Sequence, residues 1–394
     1  MKMKRNFVLF SLVGMAAPLI AHTQDEGVVA CQQVCEQCVE QQDSVSGVPA
    51  STQKKRLQNF VKTFDPSIKF GGYITGKYSI SDRSGEDANG GFDLRYLRLY
   101  ANGYCFQDFY YRFQLEVCGA PGQDKGARVL DAFVEWQKYD FLRIKLGQFK
   151  RPFSFENPYS PWNVGFGSYS QATTKLAGMG DRVGEHGSGG RDLGFQVQGD
   201  LLKDAKDDHA WLHYQVGFFN GQGINHADKD KFKDLIGGLW ISPVKNLAIG
   251  GFGWNGRYTN ESKEIDEKML KEVKRVRWGA GVKYESDWTF RGEYMYSVGG
   301  SVKDAGMDDH ADAWYAAVGA PLFKNFKLYG RWDCYRAVQT WNSMKTNYGL
   351  SANYKLGKNL MFQLNYNFTD DRGLRHSTKD SHYNTFDLQV YARF

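Results

Sequence analysis

The sequence has little that could cross a membrane as a helix. Its 394 residues contain one long apolar run, residues 6–20, and the mean hydropathy is −0.54. A transmembrane helix needs about 20 consecutive apolar residues, so a bundle of membrane helices is excluded. The chain is instead rich in glycine (44 residues) and aromatic side chains (15%), and poor in proline (9 residues).

The sequence also lacks a concentrated charge of one sign. Lysine and arginine number 50, aspartate and glutamate 44, and the formal net charge is +6. Lys2, Lys4 and Arg5 lie in a segment that we expect to be removed, which leaves about +3. A nucleic-acid-binding protein presents a concentrated basic face, whereas these charges alternate in sign along the loops. We therefore expect no nucleic-acid partner.

No catalytic set of residues is visible in the sequence. A hydrolase needs a nucleophile and a base held together, and no serine motif accompanies His186, His209 or His213. The spacing Cys-x3-Cys-x2-Cys from Cys31 to Cys38 resembles the cluster-binding triplet of radical enzymes, but the chain has no α/β-barrel pattern. We expect no enzyme activity, no cofactor and no metal.

The first residues are typical of a secretory signal. The basic stretch 1–5 precedes the apolar run, and small residues follow it at 21–23. This order predicts a cleaved signal peptide over residues 1–23. An uncleaved anchor helix is the alternative, but the run is short for a membrane span. The mature chain is therefore predicted to leave the cytoplasm.

Residues 24–62 have a different pattern from the rest of the chain. Apolar residues and cysteines, among them Cys31, Cys35 and Cys38, recur at spacings of three and four, as on one face of a helix. This predicts a short periplasmic helix or coiled coil. Disulfides between chains and lipidation of Cys31 are alternatives that the pattern leaves open, as it does the partner of the segment.

From Ile68 to the last residue, apolar side chains recur at every second position. Sixteen segments share this period, which is typical of strands. Each is about as long as a tilted strand that crosses a bilayer. Tight turns such as 138–140 alternate with longer polar connections such as 81–91, and the final segment ends at Phe394. Residues 63–394 are therefore predicted to form an all-β, 16-stranded antiparallel transmembrane β-barrel with both barrel termini periplasmic.

Residues 150–190 interrupt this period. They begin at Lys150-Arg151-Pro152-Phe153, and the next alternating segment begins at Arg191. Loops of this length are uncommon inside compact domains and are usually functional. In a barrel the natural place for this one is the lumen, where we expect it to narrow the pore.

The strand alternation also places cations in the lumen. Leu97 and Leu99 are predicted to face lipid, which turns Arg98 inward. The same rule and the long loop together predict an anion path of Arg98, Arg112, Arg143, Lys145, Lys150, Arg151, Lys175, Arg182 and Arg191. Tracks of arginine and lysine are the usual device of anion pores. The alternative is that the wall cations pair with neighbouring carboxylates and only stiffen the wall.

Several of these segments resemble a known family. The sequence Arg95-Tyr96-Leu97-Arg98-Leu99, the turn 106–109, the segments 128–136 and 146–153, and the sequence 190–194 are similar to successive parts of the phosphate-selective porins O and P. The resemblance implies a trimeric, sixteen-stranded porin with an arginine and lysine track for anions. This chain departs from the family in its shorter outer loops and in two acids of the long loop, Asp181 and Glu185.

These observations predict a diffusion channel for small anions in the bacterial outer membrane, with phosphate or polyphosphate as candidate solutes. We expect the barrel to contact outer-membrane lipid and to assemble as a homotrimer. The alternative is a porin-like barrel that conducts nothing and serves as an accessory or scaffold of an outer-membrane assembly or secretion complex.

Overall fold

The computed structural model describes residues 67–84, 90–118, 126–185, 187–261, 270–300, 309–377 and 379–394. Among them, no helix is long and apolar enough to span a membrane. The predicted signal peptide, residues 1–23, and the predicted helical segment, residues 24–62, lie outside the described residues and stay predictions.

Sixteen antiparallel strands close into one barrel, in which β1 pairs with β16 and every other strand pairs with its neighbours in sequence. The predicted fold class and strand number are confirmed. The strands are β1 Ser67–Ser81, β2 Gly90–Phe106, β3 Phe109–Glu116, β4 Arg128–Tyr139, β5 Leu142–Lys150, β6 Arg191–Lys203, β7 Ala210–Phe219, β8 Asp234–Ile241, β9 Leu247–Glu261, β10 Leu270–Glu285, β11 Thr289–Val298, β12 His310–Phe323, β13 Phe326–Arg336, β14 Met344–Leu356, β15 Leu360–Asp371 and β16 His382–Arg393.

The barrel is apolar outside and polar inside, the reverse of a soluble barrel. In β15, Phe362, Leu364 and Tyr366 are exposed on the outer face. Gln363 and Asn365 alternate with them and are buried in the lumen. Successive side chains of a strand point to opposite faces, so the period of two in the sequence decides which residues meet lipid.

The two ends of the barrel differ in their connections. At one end, here called the turn end, short turns join β2 to β3, β4 to β5, β12 to β13 and β14 to β15. Asn325 and Gly357 occupy two of these turns with positive φ angles of 66° each, a conformation that suits asparagine and glycine. The longest connection, between β5 and β6, leaves the opposite or loop end. In outer-membrane barrels the short turns are periplasmic.

The connection between β5 and β6 packs inside the barrel. It contains two short helices, α1 Pro161–Val164 and α2 Gln171–Leu176, and α2 contacts β11, β12 and β13. Its apolar side chains, including Phe153, Phe155 and Leu176, form one cluster with wall residues such as Trp254. The connection therefore packs on the wall of the lumen through a small hydrophobic core.

Candidate pore constriction

A buried ion-pair cluster fastens both ends of the β5–β6 connection to the wall. Arg151 Nη2 lies 3.0 Å from Glu185 Oε1 and 2.9 Å from Asp192 Oδ2, and these side chains are fully buried. Arg275 of β10 bridges Glu185 at 2.5 Å and Asp234 at 2.7 Å. Removing one partner of a buried pair leaves an uncompensated charge and is strongly destabilising. Arg151 therefore serves as an anchor, although the sequence placed it in the anion path.

A neighbouring pair fastens the middle of the connection. Arg277 of β10 donates two hydrogen bonds of 2.6 Å to the Asp181 carboxylate and one of 2.8 Å to Leu176 O. Burial by itself would raise the pKa of Asp181, but the Arg277 guanidinium outweighs it and holds that pKa below its usual range. Asp181 thus stays ionised beside its partner. We name Arg151, Arg275, Arg277, Asp181, Glu185, Asp192 and Asp234 the anchor cluster.

Wall carboxylates also bind backbone N–H groups of the connection. Glu293 of β11 accepts from Phe155 N at 2.8 Å and from Glu156 N at 3.1 Å. Asp333 of β13 accepts from Gln171 N, the first residue of α2, at 2.9 and 3.0 Å. These charge-assisted bonds satisfy backbone donors of the connection, one of which, Glu156 N, also donates to Ser154 Oγ at 3.0 Å.

Wall arginines bind its carbonyl groups in turn. Arg291 Nη1 donates to Val164 O at 2.6 Å, and Arg331 Nη1 donates to Ser168 O at 2.8 Å. Arg182, which belongs to the connection itself, donates to Ala337 O at 3.0 Å and to Gly299 O. These bonds tie the connection to β11, to β13 and to the residues that follow these two strands.

A second group of lumen side chains, on β2 to β6, carries cations in excess. Arg98 Nε lies 2.7 Å from Glu116 Oε2. Arg191 and Arg112 share Asp131, at 2.7 and 3.5 Å. Three arginines, on β2, β3 and β6, thus share two carboxylates.

Two further cations join this group without a carboxylate of their own. Lys150 Nζ donates to Asn157 O at 2.5 Å and Tyr159 O at 2.7 Å. The positive charges of Arg98, Arg112 and Arg191 repel the Lys150 ammonium group, and the negative charge of Asp131 attracts it. We name Arg95, Arg98, Arg112, Lys150, Arg191, Glu116 and Asp131 the eyelet patch.

Arg95 is the second of these cations. It lies beside Tyr96, with the guanidinium carbon 5.2 Å from the ring centroid. Its Nε is buried without a hydrogen-bond partner, and the described part of the chain shows no carboxylate in ion-pair contact with it. The register between β1 and β2 shifts next to it, between Thr75 and Gly76. This shift breaks the simple alternation, so the period of two did not reveal Arg95 as a lumen cation.

Aromatic rings cover the cations of the eyelet patch. The Arg98 guanidinium carbon lies 4.6 Å from the Tyr96 centroid, and Lys150 Nζ lies 5.4 Å from that of Tyr169. Tyr169 belongs to the connection, and its hydroxyl donates to Tyr159 O at 2.5 Å. Cation–π contacts hold these long side chains in place. With five basic side chains and two carboxylates, the patch has a formal net charge of +3.

The remaining residues of the predicted path lie apart from this patch. Arg143 pairs with Asp200 at 2.6 Å, and Lys145 lies 3.7 Å from Glu135. Lys175 of α2 has no ion pair among the residues that the structure describes. The structure therefore brings together Arg98, Arg112, Lys150 and Arg191, and separates the other five members of the predicted path.

Sequence reasoning missed Arg275, Arg277, Arg291 and Arg331, all of which bind the connection. A signal for the first two was present, because Arg275 and Arg277 are two apart in β10 and so share the lumen face. Their acidic and carbonyl partners are distant in sequence. Only the folded chain shows which arginines are neutralised.

The comparisons with known proteins agree with this architecture. The family model for phosphate-selective porin O and P matches residues 69–231. No curated protein matches the chain.

Solved structures share the whole barrel at low sequence identity. The anion-selective porin from Comamonas acidovorans is 13% identical, with a TM-score of 0.61, covering 84% of this chain and 100% of that one. The outer membrane channel DcaP of Acinetobacter baumannii is 11% identical, with a TM-score of 0.57, over 84% and 97%. The trimer form of OmpT from Vibrio cholerae is 13% identical, with a TM-score of 0.55, over 84% and 99%.

The sixteen-stranded barrel is apolar outside and polar inside, and it is narrowed by a connection fastened within its lumen. Together with the match of residues 69–231 to the model of the phosphate-selective porins O and P, this architecture identifies the protein as a channel of the bacterial outer membrane.

Proposed function

We propose that this channel conducts small anions, with phosphate-like oxyanions among them. The observation that carries the proposal is the formal net charge of +3 on the eyelet patch, which lines the lumen beside the folded-in connection. An anion that enters a narrow pore loses part of its hydration, and fixed guanidinium and ammonium groups replace it. The planar fork of arginine suits oxyanions in particular.

The electrostatic interaction between a solute ion and these cations is strong enough for selectivity. Two unit charges 4 Å apart interact by about 4 kcal/mol at an effective dielectric constant near 20. Even a fraction of this energy, at each of several cations, separates anions from cations of the same size. The solved anion-selective porin from Comamonas acidovorans has the same fold, which is consistent with the proposal.

The test is the zero-current potential of the purified protein in a planar bilayer under a salt gradient. Wild-type protein is expected to prefer anions. Changing Arg95 and Arg112 together to glutamate replaces two positive charges of the eyelet patch by two negative ones, so the potential should move towards cation selectivity. These positions suit the test because neither belongs to the anchor cluster, whereas a change at Arg151 would disturb the fold.

The matched control is Lys203→Glu. Lys203 is a partly exposed cation at the turn end, paired with Asp140 at 2.5 Å, and its replacement should leave the zero-current potential nearly unchanged. A conducting Arg95→Glu/Arg112→Glu variant with the wild-type potential would show that the eyelet patch is not the filter.

A non-conducting accessory barrel is the second candidate function. The apolar cluster between the connection and the wall favours it, because this cluster fills part of the lumen. An accessory barrel would give no single-channel steps in a planar bilayer, whereas the anion channel gives steps whose size increases with salt concentration.

We further propose that the barrel assembles as a homotrimer. Large apolar side chains cover its outer face, and OmpT of Vibrio cholerae, which has a similar fold, has been solved in a trimer form. Native mass spectrometry of the full-length protein in detergent should give three times the chain mass. A monomeric mass from protein that still conducts would contradict the trimer and leave the channel intact.

A further inference from the structure

A cavity lies at the turn end of the lumen. It has a volume of about 460 Å³ and lies between the first part of the β5–β6 connection and the turn ends of β10 to β15. Tyr159, Trp162 and Asn163 line it from the connection, and Lys327 and Lys355 line it from the wall. We name this cavity the vestibule pocket. Its volume lies in the range of pockets for small organic molecules.

The connection-side wall of the vestibule pocket is held in place by Arg291. This side chain donates to Val164 O at 2.6 Å and to Asn163 O at 3.2 Å. Its Nε donates to Glu285 Oε1 at 2.6 Å, and the Tyr159 hydroxyl donates to the same oxygen at 2.5 Å. These hydrogen bonds preform the pocket. Arg291 and Glu285 also neutralise each other, so neither group is left to bind a solute.

Two lysines supply the open positive charge. Lys327 Nζ donates to Thr289 Oγ1 at 2.7 Å, with a longer contact of 3.5 Å to Ser286 O. Lys355 has no hydrogen bond or ion pair from its amine within the described residues. Asp287 in the adjoining turn is the one further carboxylate among the lining residues. The pocket therefore favours a solute with a negative group.

The rest of the lining is aromatic or neutral and polar. Trp162, Tyr329 and Phe323 contribute rings. The side chains of Asn163 and Asn325 have no hydrogen-bond partner among the described residues. Inorganic phosphate would use the lysines alone. A solute with a polar ring would also use the aromatic surface and the free amides.

We propose that the vestibule pocket binds an acidic sugar, a hexose-sized ring that carries one phosphate or carboxylate group. The acidic group contacts Lys327 and Lys355, the ring packs on the aromatic lining, and the hydroxyl groups bond to the side-chain amides. The proposal rests on the anion channel above and adds a substrate class to it, because solutes that pass the eyelet patch reach this pocket before they leave at the turn end.

The test measures binding to the full-length protein in detergent by titration calorimetry with four probes: glucose 6-phosphate, glucuronate, glucose and inorganic phosphate. Glucose 6-phosphate and glucuronate should bind, each at least about tenfold more tightly than glucose or inorganic phosphate, since only they use both parts of the lining. In bilayers, glucose 6-phosphate added at the turn end should interrupt the current at lower concentration than when added at the loop end.

The Lys327→Gln/Lys355→Gln variant should lose at least about tenfold in affinity for glucose 6-phosphate. Lys358→Gln removes a cation from a neighbouring turn outside the pocket and should leave the affinity unchanged. Circular dichroism checks that each variant keeps its strand content.

Three outcomes would overturn the proposal: equal binding of inorganic phosphate and glucose 6-phosphate, no binding of either acidic sugar, or undiminished binding by the double lysine variant. Each can occur in a channel whose zero-current potential still shows anion preference, so the vestibule site would fail while the proposed function stands. A cation-selective wild-type potential would instead overturn the proposed function.

Discussion

The anchor cluster and the eyelet patch use the same residue type for different purposes. In the anchor cluster, three arginines meet four carboxylates at distances of 2.5 to 3.0 Å. In the eyelet patch, five cations meet two carboxylates. The arginines themselves are alike, and the number of nearby acids decides whether they hold the fold together or present charge to a solute.

The difference also explains how a narrow pore can carry excess charge. Uncompensated cations repel one another, so the groups that hold them must be rigid. The anchor cluster and the apolar contacts of Phe153 and Phe155 hold the connection rigid. The eyelet patch can then keep its charge, because aromatic rings and carbonyl groups of the fixed connection position its cations.

The largest effect is expected from breaking the anchor cluster. Arg275→Met keeps much of the side-chain volume but leaves the buried Asp234 carboxylate without a cationic partner and removes one of the two arginines that contact Glu185. The free energy of unfolding should fall by about 3–5 kcal/mol, as measured by urea titration of the protein folded in lipid vesicles.

Arg257→Met is the matched control, because Arg257 lies on neighbouring β9 and pairs with Glu272 in a half-exposed contact. An exposed pair contributes at most about 1 kcal/mol. Equal losses of stability in the two variants would show that burial does not distinguish the two arginines.

A smaller effect is expected from increasing the net positive charge of the eyelet patch. Asp131→Asn removes one of its two carboxylates while keeping the shape, which raises the net charge by one. The zero-current potential should move further towards anion preference. Asp140→Asn, at an exposed position of the turn end, is the control and should leave the potential as in the wild type. A shift of the Asp131→Asn potential towards cations would contradict the role assigned to the patch.

The smallest effect is expected at Lys175, which belongs to neither cluster. Burial lowers the pKa of Lys175, and the nearby Lys345 cation lowers it further. As the pH rises, Lys175 should therefore lose its proton before ordinary lysines do, and a small part of the anion preference should disappear with it. Zero-current potentials recorded over an alkaline pH series measure this step.

The Lys175→Gln variant lacks this charge at every pH. Its zero-current potential should begin slightly less anion-selective and should not show the early alkaline step. The same step in wild type and variant would assign it to another group.

The sequence was sufficient for the barrel because a strand has a fixed period. Phe362, Leu364 and Tyr366 alternate with Gln363 and Asn365, and no other regular structure places these residues on an apolar and a polar face. The interruption at residues 150–190 was visible for the same reason, as was the inward direction of Arg98 and Arg112.

The sequence could not decide which cations stay uncompensated. Arg151 and Lys150 are adjacent, yet Arg151 pairs with Glu185 and Asp192, 34 and 41 residues further along the chain, whereas the Lys150 amine donates only to carbonyl groups among the described residues. Local pattern determines the face on which a charge lies. Whether that charge is neutralised depends on partners that the closed barrel and its folded-in connection bring within a few ångströms, and only the tertiary structure contains those distances.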